Sequence, residues 1–148
     1  MKKLAFITLL ISLSFNSYAR TYGERSSDWK VIKGDNGYYL KKLDPEPKMI
    51  KIQTIGGSPE VQEVQKKEEA PEHIFVVYKA GSAGTSHIVT AYRAVVFHLK
   101  DNKFIGDLPL KYVSQQGKDV TQPTWKFSMG KLVVKDPSSG SEKTIDLR

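Results

Sequence analysis

The stretch His-Ile-Phe-Val-Val-Tyr-Lys-Ala, residues 73–80, decides the fold of this chain. It is a nearly continuous apolar run, rich in β-branched and aromatic residues, and a glycine-rich segment follows it. A second run of the same character, residues 86–99, comes next. A strand with one wet face alternates apolar and polar residues, whereas a strand buried on both faces does not. The two runs are therefore predicted to be the central strands of a sheet.

Shorter segments of β character lie on both sides of these runs. Glycine and proline punctuate the chain densely and leave few windows long enough for a typical helix. The alternation of side chains between them predicts seven more strands, at 28–33, 37–43, 48–54, 109–114, 124–129, 131–135 and 143–147. Short turns between consecutive strands are typical of antiparallel meanders. The predicted fold is all-β and mainly antiparallel, a β-sandwich or barrel-like meander of about nine short strands.

The segment 58–72 is the exception to this pattern. Ser58 could cap a helix that has Pro59 in its first turn. Val61 and Val64 alone would make only a thin apolar stripe on that helix. At most one short helix is expected, near 58–70, and a mobile charged connection or a strand through 61–65 are the alternatives.

The first 19 residues have the pattern of a cleavable secretory signal. Lys2 and Lys3 precede an apolar run over 4–15, and small residues stand at Ser17 and Ala19. A membrane-spanning helix needs about 20 apolar residues, so this run is too short to be an anchor. We expect cleavage after Ala19, a single β-rich domain over 20–148, and a periplasmic or secreted protein.

Composition limits how this domain is stabilised and what it binds. The chain has no cysteine, so packing must stabilise it without disulfides. The formal net charge is +7 for 148 residues, and removal of the two signal lysines leaves about +5. A moderate positive field favours anionic partners such as envelope polymers, lipid headgroups or acidic proteins. A solvated lysine surface without a partner is the alternative.

No motif for catalysis, metal binding or cofactor binding is found. Cysteine is absent, and the Gly-x-Ser-x-Gly spacing of a nucleophile elbow is missing. The spacings of His73, His87 and His98 match no zinc pattern, and on one regular strand His87 and His98 face opposite ways. Aromatic and basic residues alternate along the chain, but an ordinary sheet with a packed and a wet face has the same pattern. We therefore predict no cofactor and no nucleic-acid partner, and we expect contact with a membrane only during export.

One stretch resembles a known family. The strand over 75–78, the loop Gly81-Ser82-Ala83-Gly84-Thr85 and the strand that follows are similar to a segment of the periplasmic inhibitors of invertebrate-type lysozymes. The resemblance implies a small exported β-sandwich that places a Ser/Gly/Tyr loop in the lysozyme cleft. Thr85 stands where that family has tyrosine, and the family's second loop is not visible. The basic charge is also poorly matched to a basic lysozyme, and no residue is carried over as a site.

Three hypotheses for function follow. The first is an exported, non-enzymatic protein that binds an envelope polymer or another exported protein. The second is a periplasmic inhibitor of a lysozyme-like lytic hydrolase that acts through the loop 81–86, with possible binding residues Ser82, Thr85, Ser86 and His87. The third is a small envelope enzyme, which requires two of the three histidines and an acid to converge in a cleft.

Overall fold

A computed structural model describes residues 23–43 and 47–148. The predicted signal segment lies outside the described residues. The described chain forms one 3-10 turn, η1 (Ser26–Asp28), and ten strands: β1 (Trp29–Gly34), β2 (Gly37–Lys42), β3 (Lys48–Lys51), β4 (Glu60–Gln65), β5 (His73–Ala83), β6 (Val89–His98), β7 (Phe104–Ser114), β8 (Thr124–Ser128), β9 (Lys131–Asp136) and β10 (Ser141–Asp146). Within those residues the only helix is this turn, far too short to cross a membrane.

The strands form three antiparallel sheets, which confirms the predicted all-β antiparallel fold. Sheet A has the order β1-β2-β3, sheet B the order β4-β5-β6-β7, and sheet C the order β10-β9-β8. Each sheet joins strands that are consecutive in sequence, as expected of meanders. The hairpin between β1 and β2 is closed by Asp35 and Asn36, with Gly34 paired to Gly37.

The two continuous apolar runs are β5 and β6, and they occupy the middle of sheet B. On one face of sheet B, Ile74, Val76 and Tyr78 pack against Trp29 and Leu40 of sheet A. Each of these side chains is at most 3% exposed. Burial of one such side chain stabilises the fold by roughly 1.5–3 kcal/mol. Sheet A therefore covers the first face of sheet B.

Sheet C covers the opposite face of sheet B. The alternate side chains Phe75 and Val77 pack there against Leu132, Val134 and Ile145. Sheet B is thus sandwiched between two smaller sheets, one layer more than a two-sheet sandwich. This arrangement explains why β5 and β6 are apolar at nearly every position, because both of their faces are dry.

The ambiguous segment 58–72 contains a strand, β4, at one edge of sheet B. Val61 and Val64 are three residues apart, which is helical spacing and would place them on opposite faces of a regular strand. A β-bulge between Val61 and Glu63 shifts the register by one residue. Both valines therefore pack on the same core, and the irregularity explains why the spacing alone suggested a helix.

Strand β5 continues through Ala83, three residues beyond its predicted end at Ala80. Gly81 lies at a bulge with a φ of +121°, and a β-carbon there would sit 1.7 Å from the carbonyl oxygen of Gly56. Only glycine fits this conformation and this approach. The contact carries a hydrogen bond of 3.0 Å from the Ser82 amide to the Gly56 carbonyl. The chain after β3 is thereby held against the end of β5.

The other edge of sheet B is β7, which contains Pro109 as predicted for an edge strand. Side chains from the following segment bind the unpaired backbone of this edge. The side-chain amide of Gln122 donates to the backbone carbonyl of Tyr112 at 2.7 Å, and its oxygen accepts from the backbone amide of Tyr112 at 2.8 Å. The Trp125 indole donates to the Pro109 carbonyl at 2.8 Å. These contacts protect the edge from pairing with another chain.

Candidate functional site

A polar cleft of about 560 Å³ opens between β7 and the hairpin that joins β9 to β10. Its walls come from the segment after β3, from β6 and β7, and from sheet C. The hydrogen bond between Gly56 and Ser82 fixes the segment after β3 against β5, and Gln53 and Ile55 of this segment form one wall of the cleft. Val134 and Lys143 reach the cleft from the inner face of sheet C, where they are paired in register.

A buried ion pair forms the floor of the cleft. Arg93 donates from Nε to Asp107 Oδ1 at 2.9 Å, and its Nη2 donates to the Asp107 carbonyl at 3.2 Å. The carboxylate is 8% exposed. The fold brings these residues together because Arg93 is paired with Tyr78 on β5 and with Pro109 on β7, beside a bulge in β7.

Tyr78 completes this network. Its hydroxyl donates to Asp107 Oδ2 at 2.7 Å, and the backbone amide of Gln53 donates to the same oxygen at 3.2 Å. Burial, with the nearby charge of Asp107 and the hydrogen bond to it, raises the pKa of Tyr78 far above its ordinary value. The phenol therefore stays protonated and remains a donor. With Arg93, three donors hold the Asp107 carboxylate in one position.

A second carboxylate, Asp136, lines the cleft at the end of β9. Burial by itself raises the pKa of Asp136, but hydrogen bonds from Ser138, Tyr112 and Ser139 lower it on balance. The Tyr112 hydroxyl donates at 2.7 Å, and the hydroxyls of Ser138 and Ser139 donate at 2.6 and 2.8 Å. Asp136 is therefore ionised at neutral pH and serves as the acceptor at the centre of the turn.

The arrangement of the cleft suits binding rather than proton transfer. A general acid at neutral pH needs a raised pKa, and the pKa of Asp136 is lowered. Asp107 is filled with donors on both oxygens. The third carboxylate of the lining, Glu142, is paired with Lys135 at 3.0 Å. The charged groups left for a ligand are therefore cationic. Nη1 of Arg93 donates to none of the described residues, and Lys143 forms no salt bridge within the described part of the chain.

Two of the three histidines meet at the far end of the central strands. His73 and His98 are cross-strand partners with ring centroids 5.2 Å apart. Nδ1 of His98 lies 2.8 Å from Asp101 Oδ1, and its Nε2 lies 3.9 Å from Glu72 Oε2. His98 and Glu72 line a groove of about 570 Å³ together with Pro71, Leu99 and Lys100, whereas His73 and Asp101 are not part of its lining. Strand register thus brings two histidines close to acidic residues, but only one of the two histidines, His98, lines the groove, whereas the enzyme hypothesis required both in a cleft.

No nucleophilic hydroxyl or thiol is found among the described residues that line the groove at His98. Within residues 23–43 and 47–148, no three His, Asp or Glu side chains are placed to hold a metal ion. His73 itself is 2% exposed. The pair is therefore best described as a titratable cluster at the edge of the core.

Because His73 is buried beside His98, we expect the protein to lose stability in mild acid. Burial, and then the nearby His98, lower the pKa of His73, and Glu72 and Asp101 offset this in part. As the pH falls, the imidazole is therefore protonated at a higher pH in the unfolded chain than in the folded one. Neutral His73 contributes fully to the free energy of unfolding above about pH 6.5, and this contribution is lost as the pH falls below that value. Urea unfolding between pH 7.5 and about 5 should show stability falling with pH.

His73→Phe is the matched control for this pH dependence. It keeps an aromatic ring in the buried site and removes the titrating group, so we expect a flatter profile over the same pH range. An equally steep profile in the variant would assign the effect to other groups.

None of the four residues of the predicted binding loop is in the lining of the cleft. Thr85, Ser86 and His87 are exposed at the tip of the β5–β6 hairpin. Ser82 is half-buried within β5 and is hydrogen-bonded to Thr90, with 2.8 Å between the two hydroxyl oxygens. The Nζ of Lys118 lies 2.7 Å from His87 Nε2. His87 is thus at the opposite end of β6 from His98 and joins no histidine cluster.

Sequence reasoning missed the cleft, although one signal was present. Arg93 is the only arginine or lysine within the apolar run 86–99, and Asp107 lies in an otherwise uncharged stretch between Phe104 and Leu110. Charged residues are rarely buried unless they are paired. The partners of Arg93 and Asp107 are set by strand register, which the sequence alone did not reveal.

No protein-family model, no curated protein and no solved structure matches the chain significantly.

Proposed function

We propose that the chain is exported, loses residues 1–19, and acts in the periplasm or outside the cell as a non-enzymatic binding protein. Its ligand is a segment of an envelope polymer, bound in the cleft between β7 and sheet C. One observation supports this proposal. The carboxylates of Asp107 and Asp136 already accept hydrogen bonds from neighbouring residues, whereas cationic groups of Arg93 and Lys143 are left for a ligand. The Lys2, Lys3 and apolar pattern of the first 19 residues supports export.

The lining of the cleft favours a glycan segment that carries acidic groups. A volume of about 560 Å³ suits one or two sugar rings. The Tyr112 ring together with Pro109 and Ile55 supplies apolar surface, while Gln53 and the serines of the β9–β10 turn supply polar groups. Lys143 would pair with an acidic substituent. Peptidoglycan and lipopolysaccharide both combine sugars with acidic groups, so both are tested.

The test is retention of the purified mature chain on immobilised polymers. We expect binding to peptidoglycan or to lipopolysaccharide. Lys143→Ser should weaken this binding about tenfold, because a hydrogen bond to a charged group contributes roughly 1.5–3 kcal/mol. Lys126→Ser is the matched control, since Lys126 lies on the outer face of the same sheet, and it should bind like the wild type.

Two results would contradict the proposed cleft site. One is the absence of binding to either polymer. The other is equal binding by the Lys143 and Lys126 variants with circular dichroism that shows both to be folded.

A second candidate, inhibition of a lytic hydrolase, is favoured by the exposure of the hairpin tip. Thr85, Ser86 and His87 all project there. Immobilised lysozymes in the same retention assay separate the two candidates. The inhibitor hypothesis expects retention on lysozyme that Thr85→Ala weakens and Lys143→Ser does not.

A further inference from the structure

The outer face of sheet A carries a cluster of lysines that form no salt bridge with the residues that the structure describes. Strand register places Lys30, Lys41 and Met49 in one row across the sheet, and Ile32, Tyr39 and Lys51 in the next row. The opposite face of the sheet packs on sheet B, so these six side chains point outward. We refer to them as the basic face. The three strands contain six lysines and no acidic residue.

The lysines of the basic face have no ion-pair partner among residues 23–43 and 47–148. Lys30, Lys41 and Lys51 form no salt bridge with any residue of the described chain. Lys30 is directly opposite Lys41, and like charges in facing positions destabilise a sheet. Glu60 borders the same groove as Lys30 at the margin of the sheet without pairing to it. The arrangement therefore costs stability that nothing within the described residues offsets.

Sheet C provides the comparison within the same molecule. Its outer face also carries three lysines, Lys126, Lys131 and Lys135. Acids face two of them across the strands. Glu142 forms a salt bridge of 3.0 Å with Lys135, and Asp146 is paired in register with Lys131. The outer faces of sheets A and C thus carry three lysines each, but among the described residues only in sheet C do lysines have acidic residues opposite them.

We propose that the basic face docks on a membrane surface that contains anionic phospholipids. Lysines near such a surface are attracted to its headgroups, and each strengthens binding about fivefold. The three lysines surround Tyr39, Ile32 and Met49, and Met49 is 51% exposed. Tyrosine is favoured at the membrane–water interface, and apolar side chains bury there. A soluble polyanion would attract the lysines equally, but it offers no burial for Met49 and Ile32.

The experiment is co-sedimentation of the mature chain with two kinds of vesicle. One contains phosphatidylcholine alone, and the other contains equal parts of phosphatidylcholine and phosphatidylglycerol. We expect the chain to bind the anionic vesicles and to be released by salt, which screens charges at the surface. The triple variant Lys30→Ser, Lys41→Ser, Lys51→Ser should bind on the order of a hundredfold more weakly, from about fivefold for each lysine.

Matched variants separate a specific face from net charge. Lys126→Ser, Lys131→Ser, Lys135→Ser removes the same charge from sheet C and should lose less than about fivefold. Replacement of the three basic-face lysines by arginine should keep binding. The cleft variant Lys143→Ser should also keep vesicle binding, since this inference is independent of the proposed ligand in the cleft.

Several results would overturn the proposal. They are equal binding to both kinds of vesicle, equal losses in the two serine triple variants, and binding to soluble dextran sulfate with none to vesicles. Circular dichroism confirms that each variant is folded before its binding is compared. The serine triple variant of sheet A should be at least as stable as the wild type, because it relieves repulsion between like charges.

Discussion

Replacement of Asp107 by alanine is expected to lower the free energy of unfolding by about 3–5 kcal/mol, because it leaves the charge of Arg93 buried without its partner. It also removes the acceptor of the 2.7 Å hydrogen bond from Tyr78. Natural domains are stable by about 5–15 kcal/mol in total, so this one change could remove much of the stability. Urea unfolding followed by tryptophan fluorescence measures the loss.

Two further variants test whether the lost charge pair is the cause. Tyr78→Phe keeps the ion pair of Asp107 and Arg93, so it should cost only about 1–3 kcal/mol. The double variant Arg93→Met, Asp107→Leu removes both charges and should be more stable than Asp107→Ala alone. A double variant that is no better than the single one would show that loss of packing, and not an unpaired charge, causes the effect.

Replacement of Phe97 by alanine is the second change with a large expected effect, about 3–5 kcal/mol. Phe97 is fully buried on β6 and stacks on Trp29 with ring centroids 4.7 Å apart. The contact joins sheet A to sheet B, so the variant leaves a cavity between two layers. Thermal or urea unfolding measures the cost, and near-ultraviolet circular dichroism reports the loss of ordered packing around Trp29.

Phe104→Ala is the control for this cavity. Phe104 contacts the Phe97 ring itself, with ring centroids 6.1 Å apart, but it is 38% exposed on the edge strand. Its removal should cost clearly less than the removal of Phe97, because less apolar surface returns to water. Equal losses for the two variants would mean that the Phe97–Trp29 contact does not hold the layers together.

The two proposed surfaces are separate parts of the three-layer stack. The basic face is the outside of sheet A, whereas one wall of the cleft is the hairpin of sheet C on the other side of sheet B. A chain docked on a membrane through Lys30, Lys41 and Lys51 would therefore present sheet C away from the lipid. Binding at one surface need not block the other.

Some features of the site could not be predicted because they depend on bulges. The bulge between Val61 and Glu63 turns an apparent helical pattern into an edge strand. A second bulge lies in β7 opposite Arg93, next to the ion pair that Arg93 forms with Asp107. A bulge changes which residues face each other by one position, and in a strand one position reverses the face. The composition of these segments does not show where the extra residue will be placed.

The sequence by itself determined that this protein is an antiparallel β structure with β5 and β6 at its centre. Hydrophobic periodicity is a local property, and a run that is apolar at every position requires cover on both faces wherever it lies. Only the tertiary structure decided that His73 meets His98, that Arg93 meets Asp107, and that the lysines of sheet A share one face. Those neighbours come from different strands, so the register between strands brings them together.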